Sequence, residues 1–297
     1  MKKVITLLVV CLFASLTFAQ VAKQSPDLKP DGKGHGNKVD NGATRKLRTS
    51  NGISYHGGPV MLGTVTAYYI WYGNWSGNTA ESILPDFIGH EGGSSYYNIN
   101  TTYFNGSGQH VSNSIAYGGS TSDNYSQGTA LSDAGVQAVV SKAINSGSLP
   151  SSSSAVYFVL TSKDVNETSG FCTQYCGWHT DASINGKNIK YAFVGNPDRC
   201  PSACEEQSAS SPNNNPGADG MASIIAHEFE ESTSDPDLNA WYDSRGEENA
   251  DKCAWTFGTE STASNGSKYN LTLSNGSRWL IQRNWVNASG GYCSMSH

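Results

Sequence analysis

The chain has 297 residues, 19 Lys and Arg against 25 Asp and Glu, a formal net charge of −6, and only 15% charged residues beside 32 Gly. Phosphate neutralisation needs clustered cations, and the chain has no long Lys/Arg run, which argues against nucleic-acid binding. A folded, acidic, soluble domain remains.

Residues 1–19 read as a secretory signal peptide, with Lys2 and Lys3 as its basic start, residues 4–13 as its apolar stretch, and Thr17 and Ala19 at a small-residue cleavage site. It is too short to span a bilayer, and no later stretch is apolar enough to anchor in a membrane. The mature protein is therefore expected to be free, secreted and extracellular. Loss of Lys2 and Lys3 leaves 17 positive against 25 negative residues, a net charge of −8. Residues 20–50 hold Lys, Asp, Gly, Asn and Pro with almost no large apolar side chains, and read as a flexible leader. Residues 51–297 form one domain, with no second linker and no internal repeat.

Within that domain, residues 60–71 are β-branched and aromatic and predict a strand, followed by a Gly/Asn/Ser turn. Asn78 with Glu81 three positions later marks a helix start, limited in regularity by Pro85. Residues 132–144 predict a clearer helix, because Val136, Val139, Val140, Ala143 and Ile144 recur at helical spacing between a Ser132 cap and a Gly147 stop. Two strands are expected at residues 155–161 (AVYFVLT) and 189–194 (IKYAFV), then a helix at 219–232, then short strands and turns. No regular βαβ repeat emerges, so the fold class is α+β with a mixed sheet.

The segment that carries chemistry is DGMASIIAHEFEESTSDP, residues 219–236. At ~100° per residue, Met221, Ile224, Ile225 and Phe229 form an apolar arc. His227 and Glu231 lie one turn apart on its edge, Glu230 lies opposite, and Glu228 falls inside the arc, where a carboxylate is desolvated unless something meets it. His227-Glu228-x-x-Glu231 resembles the His-Glu-x-x-His helix of zinc peptidases, in which two side chains hold the metal and the intervening Glu polarises a metal-bound water. Glu231 in place of the second His shifts the preference toward harder ions, so zinc is expected, with calcium or manganese as alternatives. A third ligand could come from YDSRGEENADKC, which offers Asp243, Glu247, Glu248 and Asp251. The competing reading is a solvated acidic helix end.

His179, between Trp178 and Asp181, could bind substrate or act as an acid; the alternative is a structural histidine in a disulfide-pinned loop. His56, His90 and His110 show no ligand spacing. Of seven Cys, Cys11 lies in the signal, leaving Cys172, Cys176, Cys200, Cys204, Cys253 and Cys293. An even set in a secreted chain favours disulfides over a four-thiolate zinc site, and local spacing suggests Cys172–Cys176, Cys200–Cys204 and Cys253–Cys293. Nine Asn-x-Ser/Thr sequons, at Asn74, Asn100, Asn105, Asn124, Asn166, Asn265, Asn270, Asn275 and Asn287, permit glycosylation in a eukaryotic source and establish nothing more. The aromatics Trp71, Tyr72, Trp75, Tyr96, Tyr97 and Tyr103 could stack on sugars, although core packing is the commoner use.

At YHGGPV (55–60), IWYGNWS (70–76), CGWHT (176–180), YAFVGNPDRCPSAC (191–204) and GADGM (217–221), the chain resembles the EXORDIUM or phosphate-induced protein family, in order from about residue 53 to Cys293. The resemblance implies a secreted, wall-associated protein linked in plants to growth, with no settled biochemical activity. After GADGM the plant pattern continues with small and apolar residues, whereas AHEFEESTSDPDLNAWYD and GEENADKCAW look like a non-plant branch. Positions matching that branch are Glu248 and Asp251, which ranks them above Asp243 and Glu247 as ligands.

The expectation is a single zincin-like, disulfide-bonded α+β domain and a secreted metal-dependent hydrolase of the peptidase type. Its metal ligands would be His227, Glu231, Glu248 and Asp251, with Glu228 as general base and His179 assisting. Its partner would be an extracellular protein or cell-wall polymer. The alternative is a non-catalytic wall or matrix protein whose metal is structural.

Overall fold

A computed structural model describes residues 29–33 and 52–297. The signal peptide and most of the expected leader lie outside the described residues. The core is a five-stranded sheet of β2 (Val65–Tyr72), β3 (Ile115–Asp123), β5 (Ala155–Thr161), β7 (Gly177–Ile184) and β8 (Lys187–Gly195), in the order β3-β2-β5-β8-β7. All pairings are parallel except β7 with β8, so β7 is an antiparallel edge strand. Short pairs lie outside it: β1 (Ser54–Tyr55) with β9 (Trp241–Tyr242), and β4 (Ala130–Leu131) with β6 (Asn166–Glu167).

Every residue of β5 is buried, as its unbroken apolar run requires of a central strand covered on both faces. The strand predicted at 60–71 starts only at Val65, after the Gly and Pro of the preceding loop. β3, IAYGGSTSD, was not expected: its glycines and alternating exposure belong to an edge strand, and its register shifts at a bulge opposite Ala67 and Tyr68.

Among the described residues, four α-helices complete the domain. The first, α1 (Ala80–Glu91), continues through Pro85. In α2 (Asp133–Asn145), Ser132 caps the N-terminus by accepting the Gly135 N–H, as predicted. The short α3 (Pro201–Cys204) follows β8, and α4 (Pro216–Ser234) starts three residues before the predicted helix, with Pro216 in its first turn and the Asn215 side chain accepting the Ala218 N–H. Phe229 of α4 stacks on Phe158 of β5 at 6.1 Å, and Phe87 of α1 meets Trp279 at 4.8 Å. The aromatics considered for sugar stacking, Trp71, Tyr72, Trp75, Tyr96, Tyr97 and Tyr103, are all buried in the core. Among the sequon asparagines, Asn100 is fully buried, and the Asn270 side chain donates to the Phe257 and Ile281 carbonyls.

Three disulfides form, but two differ from the spacing-based expectation. The bonds are Cys172–Cys200, Cys176–Cys204 and Cys253–Cys293. Cys200 and Cys204 flank α3 one helical turn apart, so they point toward the same neighbouring segment and not toward each other. No thiolate remains for a four-cysteine zinc site. Non-reducing peptide mapping should recover the two crossed peptides; a peptide held by Cys172–Cys176 alone would contradict the arrangement.

Glu230 and Glu91 are completely buried, and the Glu91 carboxyl has no hydrogen-bond partner among the described residues. Burial pushes the Glu91 pKa up to about 8. A carboxyl with a raised folded pKa stabilises most while protonated. Its contribution is complete below its ordinary value of 4.5 and is lost as the pH rises through about 8. Glu91→Gln should therefore raise stability at pH 9 by about 2–4 kcal/mol while changing little at pH 4. Denaturant melts at both pH values check this, and equal shifts at both would contradict it.

Candidate metal centre

The helix α4 is buried along almost its whole length, from Gly217 to Ser234, including Glu228, Glu230 and Glu231. That burial removes the reading of an ordinary solvated acidic terminus. It follows from close packing on β7, where a Cβ at Gly177 would collide with Ile224 and stand 2.9 Å from Glu228 Oε1. The C-terminus of α4 is closed by Asp235, whose Oδ1 accepts the Asn239 and Ala240 N–H groups.

Six expected site residues come together at this packing, all almost fully buried: His179, His227, Glu228, Glu231, Glu248 and Asp251. His227 Nε2 lies 3.2 Å from Glu231 Oε1 and 3.4 Å from Asp251 Oδ1. His179 Nε2 lies 3.2 Å from Glu248 Oε2 and 3.7 Å from Glu231 Oε2. Glu231 thus joins the two halves and also accepts the Asp251 N–H at 2.9 Å. Donor atoms of His179, Glu228 and Glu231 fall within 4.8 Å of one another, as do those of His227, Glu231 and Asp251. His179 sits on the edge strand and not in a loop; its imidazole reaches the cluster because β7 runs alongside α4.

Asp243 is outside the cluster, paired with Lys252 at 2.9 Å and accepting the Arg245 N–H in its own turn. Asn100 and Asn249 carry a role the sequence did not suggest. Asn249 donates to Asn100 Oδ1, and Asn100 Nδ2 donates to the Glu230 carbonyl and to Thr233 Oγ1. This bracket docks the 248–251 segment on α4. Its only sequence signal, the sequon at Asn100, pointed elsewhere.

The polar atoms of the cluster are only partly paired, so they could hold a cation. Among the described residues, Glu228 Oε2, Glu231 Oε2, Glu248 Oε1, His179 Nδ1 and both His227 nitrogens have no aligned hydrogen-bond partner. Burial and mutual repulsion hold Glu228, Glu231 and Glu248 above the ordinary carboxylate range. Burial pushes His179 down to about 3. For His227 burial also opposes charge, but Glu231 and Asp251 outweigh it and raise the pKa. Burial and repulsion thus disfavour several bare carboxylates side by side, a cost that a proton or a cation would offset. The spacings of 3.2–3.4 Å around His227 match the edge of a tetrahedron with bonds of about 2.0–2.1 Å, the length zinc makes to nitrogen and oxygen.

The sequence model of the family described as "Phosphate-induced protein 1 conserved region" matches residues 53–295. The chain belongs to this family. It is 32% identical to Protein EXORDIUM-like 3 of Arabidopsis thaliana over 85% of this chain and 86% of that protein. It is 31% identical to EXORDIUM-like 5 of the same plant, over 78% and 75%, and 25% identical to Protein PHOSPHATE-INDUCED 1 of Nicotiana tabacum, over 77% and 83%. No solved structure matches the chain. Among the described residues, no helix is long and apolar enough to cross a membrane.

If this cluster is a zinc site, zinc should bind near one equivalent, at least tenfold more weakly in His227→Ala, and with release of protons from the groups that must ionise as ligands. Calorimetric titration in two buffers of different ionisation enthalpy checks this; identical apparent enthalpies would show that no proton leaves.

Proposed function

We propose that this chain is a secreted, EXORDIUM-type protein with an interior metal site, acting at extracellular wall or matrix material without turning over a substrate. The observation that carries the reading is enclosure: His179, His227, Glu228, Glu231, Glu248 and Asp251 are each no more than 5% exposed. A metal so surrounded by protein donors ties elements together and leaves little room for a substrate. It would link α4 (His227, Glu231), β7 (His179) and the 248–251 segment (Glu248, Asp251). Two imidazoles favour zinc over calcium, which takes oxygen ligands. Secretion is supported by the N-terminal signal pattern and by three disulfides, which belong to oxidising compartments. The His-Glu helix and the Glu-Asn-Ala-Asp-Lys-Cys run support reading the chain as a family member that departs from the plant pattern.

A second reading, a zincin-like hydrolase, is favoured by one feature. Glu228 lies in the donor cluster beside Ile224 with a buried, unpartnered Oε2, the setting that raises a carboxyl pKa toward use as a general base. Zinc would then supply a Lewis acid, and Glu228 would hold the proton taken from the attacking water.

Metal removal should destabilise the protein, by about 2.7 kcal/mol for metal held at 100 times its Kd. Chelation followed by thermal melting checks the structural reading; an unchanged melt would oppose it. Screening against peptide and glycan libraries separates the two readings. No chelator-sensitive cleavage is expected. A cleavage that falls 10²- to 10⁴-fold in Glu228→Gln, with metal retained, would establish the hydrolase instead.

A further inference from the structure

The free edge of β7 is occupied. Lys33 pairs antiparallel with Trp178, and the His179 N–H donates to the Gly32 carbonyl at 2.8 Å. Residues 29–33, part of the expected leader, therefore cover part of this edge through a single β-bridge and one adjoining backbone hydrogen bond. The fit is selective at two adjacent positions. Gly32 has φ +71°, a left-handed conformation that favours glycine, and a Cβ there would collide with the His179 carbonyl oxygen. The segment also lies against the turn at Gly246, where an added Cβ would meet the Lys29 carbonyl.

The next side chain enters an acidic pocket. Lys33 Nζ donates to Asp133 Oδ2 at 3.0 Å and to Ser169 Oγ at 2.7 Å, and lies 5.2 Å from the centre of the Tyr175 ring. The pocket is held by its own hydrogen bonds. Ser169 Oγ donates to Asp133 Oδ1, the Ser169 N–H donates to both oxygens of Glu167, and the Tyr175 hydroxyl donates to Glu167 Oε2. Glu167 is almost completely buried beside this group. Two neighbouring carboxyls, a hydroxyl and an aromatic face make a receptor for one ammonium.

We propose that the β7 edge and the Asp133, Glu167, Ser169 and Tyr175 pocket form a binding site for an extended polypeptide carrying a Gly-Lys pair, which the chain fills with its own Gly32 and Lys33. Backbone pairing supplies the general attraction of an added strand, and the glycine contact with the lysine pocket supplies selectivity. The site does not depend on a metal in the interior cluster. His179 is the point of contact between them: its backbone holds the bound segment and its imidazole faces inward. In the intact chain the tethered leader competes with any polypeptide offered in solution, because tethering gives it a high effective concentration.

The test uses the full mature chain in two forms, wild type and a variant with Gly32→Val and Lys33→Glu, which vacates the site without altering the pocket. Hydrogen exchange at the His179 amide should be at least tenfold faster in the variant. A labelled synthetic peptide spanning residues 27–36 should bind the variant at least tenfold more tightly than it binds wild type. That binding should fall at least tenfold when the peptide carries Lys33→Ala or Gly32→Val, or when Asp133→Asn is added to the chain. Unchanged exchange at His179, or peptide binding insensitive to both substitutions in the peptide, would overturn the proposal.

Discussion

Four carboxyl groups and two imidazoles are buried together between α4, β7 and the 248–251 segment, and the surrounding architecture keeps them there. Buried carboxyls beside one another repel, and each also loses its hydration, so the grouping persists only if a proton or a cation compensates. The positions of these groups are set by contacts that do not themselves carry charge. Gly177 lets α4 approach the strand closely, the Asn100 and Asn249 bracket docks the third element, and the capped turn at Asp235 ends the helix before its acidic side chains reach water. The cluster is thus imposed by packing, and its chemistry follows from that imposition.

The disulfides act on the same region. Cys172–Cys200 and Cys176–Cys204 bind the segment entering β7 to the segment leaving β8, each closing a separation of 28 residues. Loops of that size restrict the unfolded chain by roughly 3–4 kcal/mol each on the chain-entropy account, less where the two constraints overlap. They anchor the start of β7, the antiparallel edge strand of the sheet, whose outer edge meets only the short Gly32 and Lys33 contact.

Much of the site was legible in the sequence because helical periodicity is local. The one-turn spacing of His227 and Glu231 and the inward direction of Glu228 follow from the angle per residue, and α4 is where that rule applies. Glu248 and Asp251 were two of four acidic candidates in the segment after the helix, ranked first by family resemblance, and the contact between their segment and α4 depends on Asn100, about 130 residues before the helix end, which no local pattern reports. The strands β5 and β8 were readable as continuous apolar runs. β3 and β7 were not, because edge strands are permitted polar residues and glycines that blur the alternation. The Cys pairing failed for a related reason: short spacing favours local loops only when the intervening backbone can fold back, and between Cys200 and Cys204 it is helical. That Gly32 and Lys33 of the leader meet the edge of β7 could not be read from a segment whose composition carries almost no apolar signal.

The alternation of β7 has a consequence for what this strand tolerates. Trp178 packs in the core against Tyr191 and Phe193, while the adjacent His179 faces the acidic cluster. Neighbouring residues of a strand point to opposite faces, so a single residue inserted or deleted between Cys176 and His179 would exchange them. An indole would then be forced among carboxyls, and an imidazole into the aromatic core. Chain length between the Cys176 cross-link and His179 is therefore constrained more tightly than residue identity, and variation among related chains should take the form of substitutions in β7 while insertions collect in the loops beyond it.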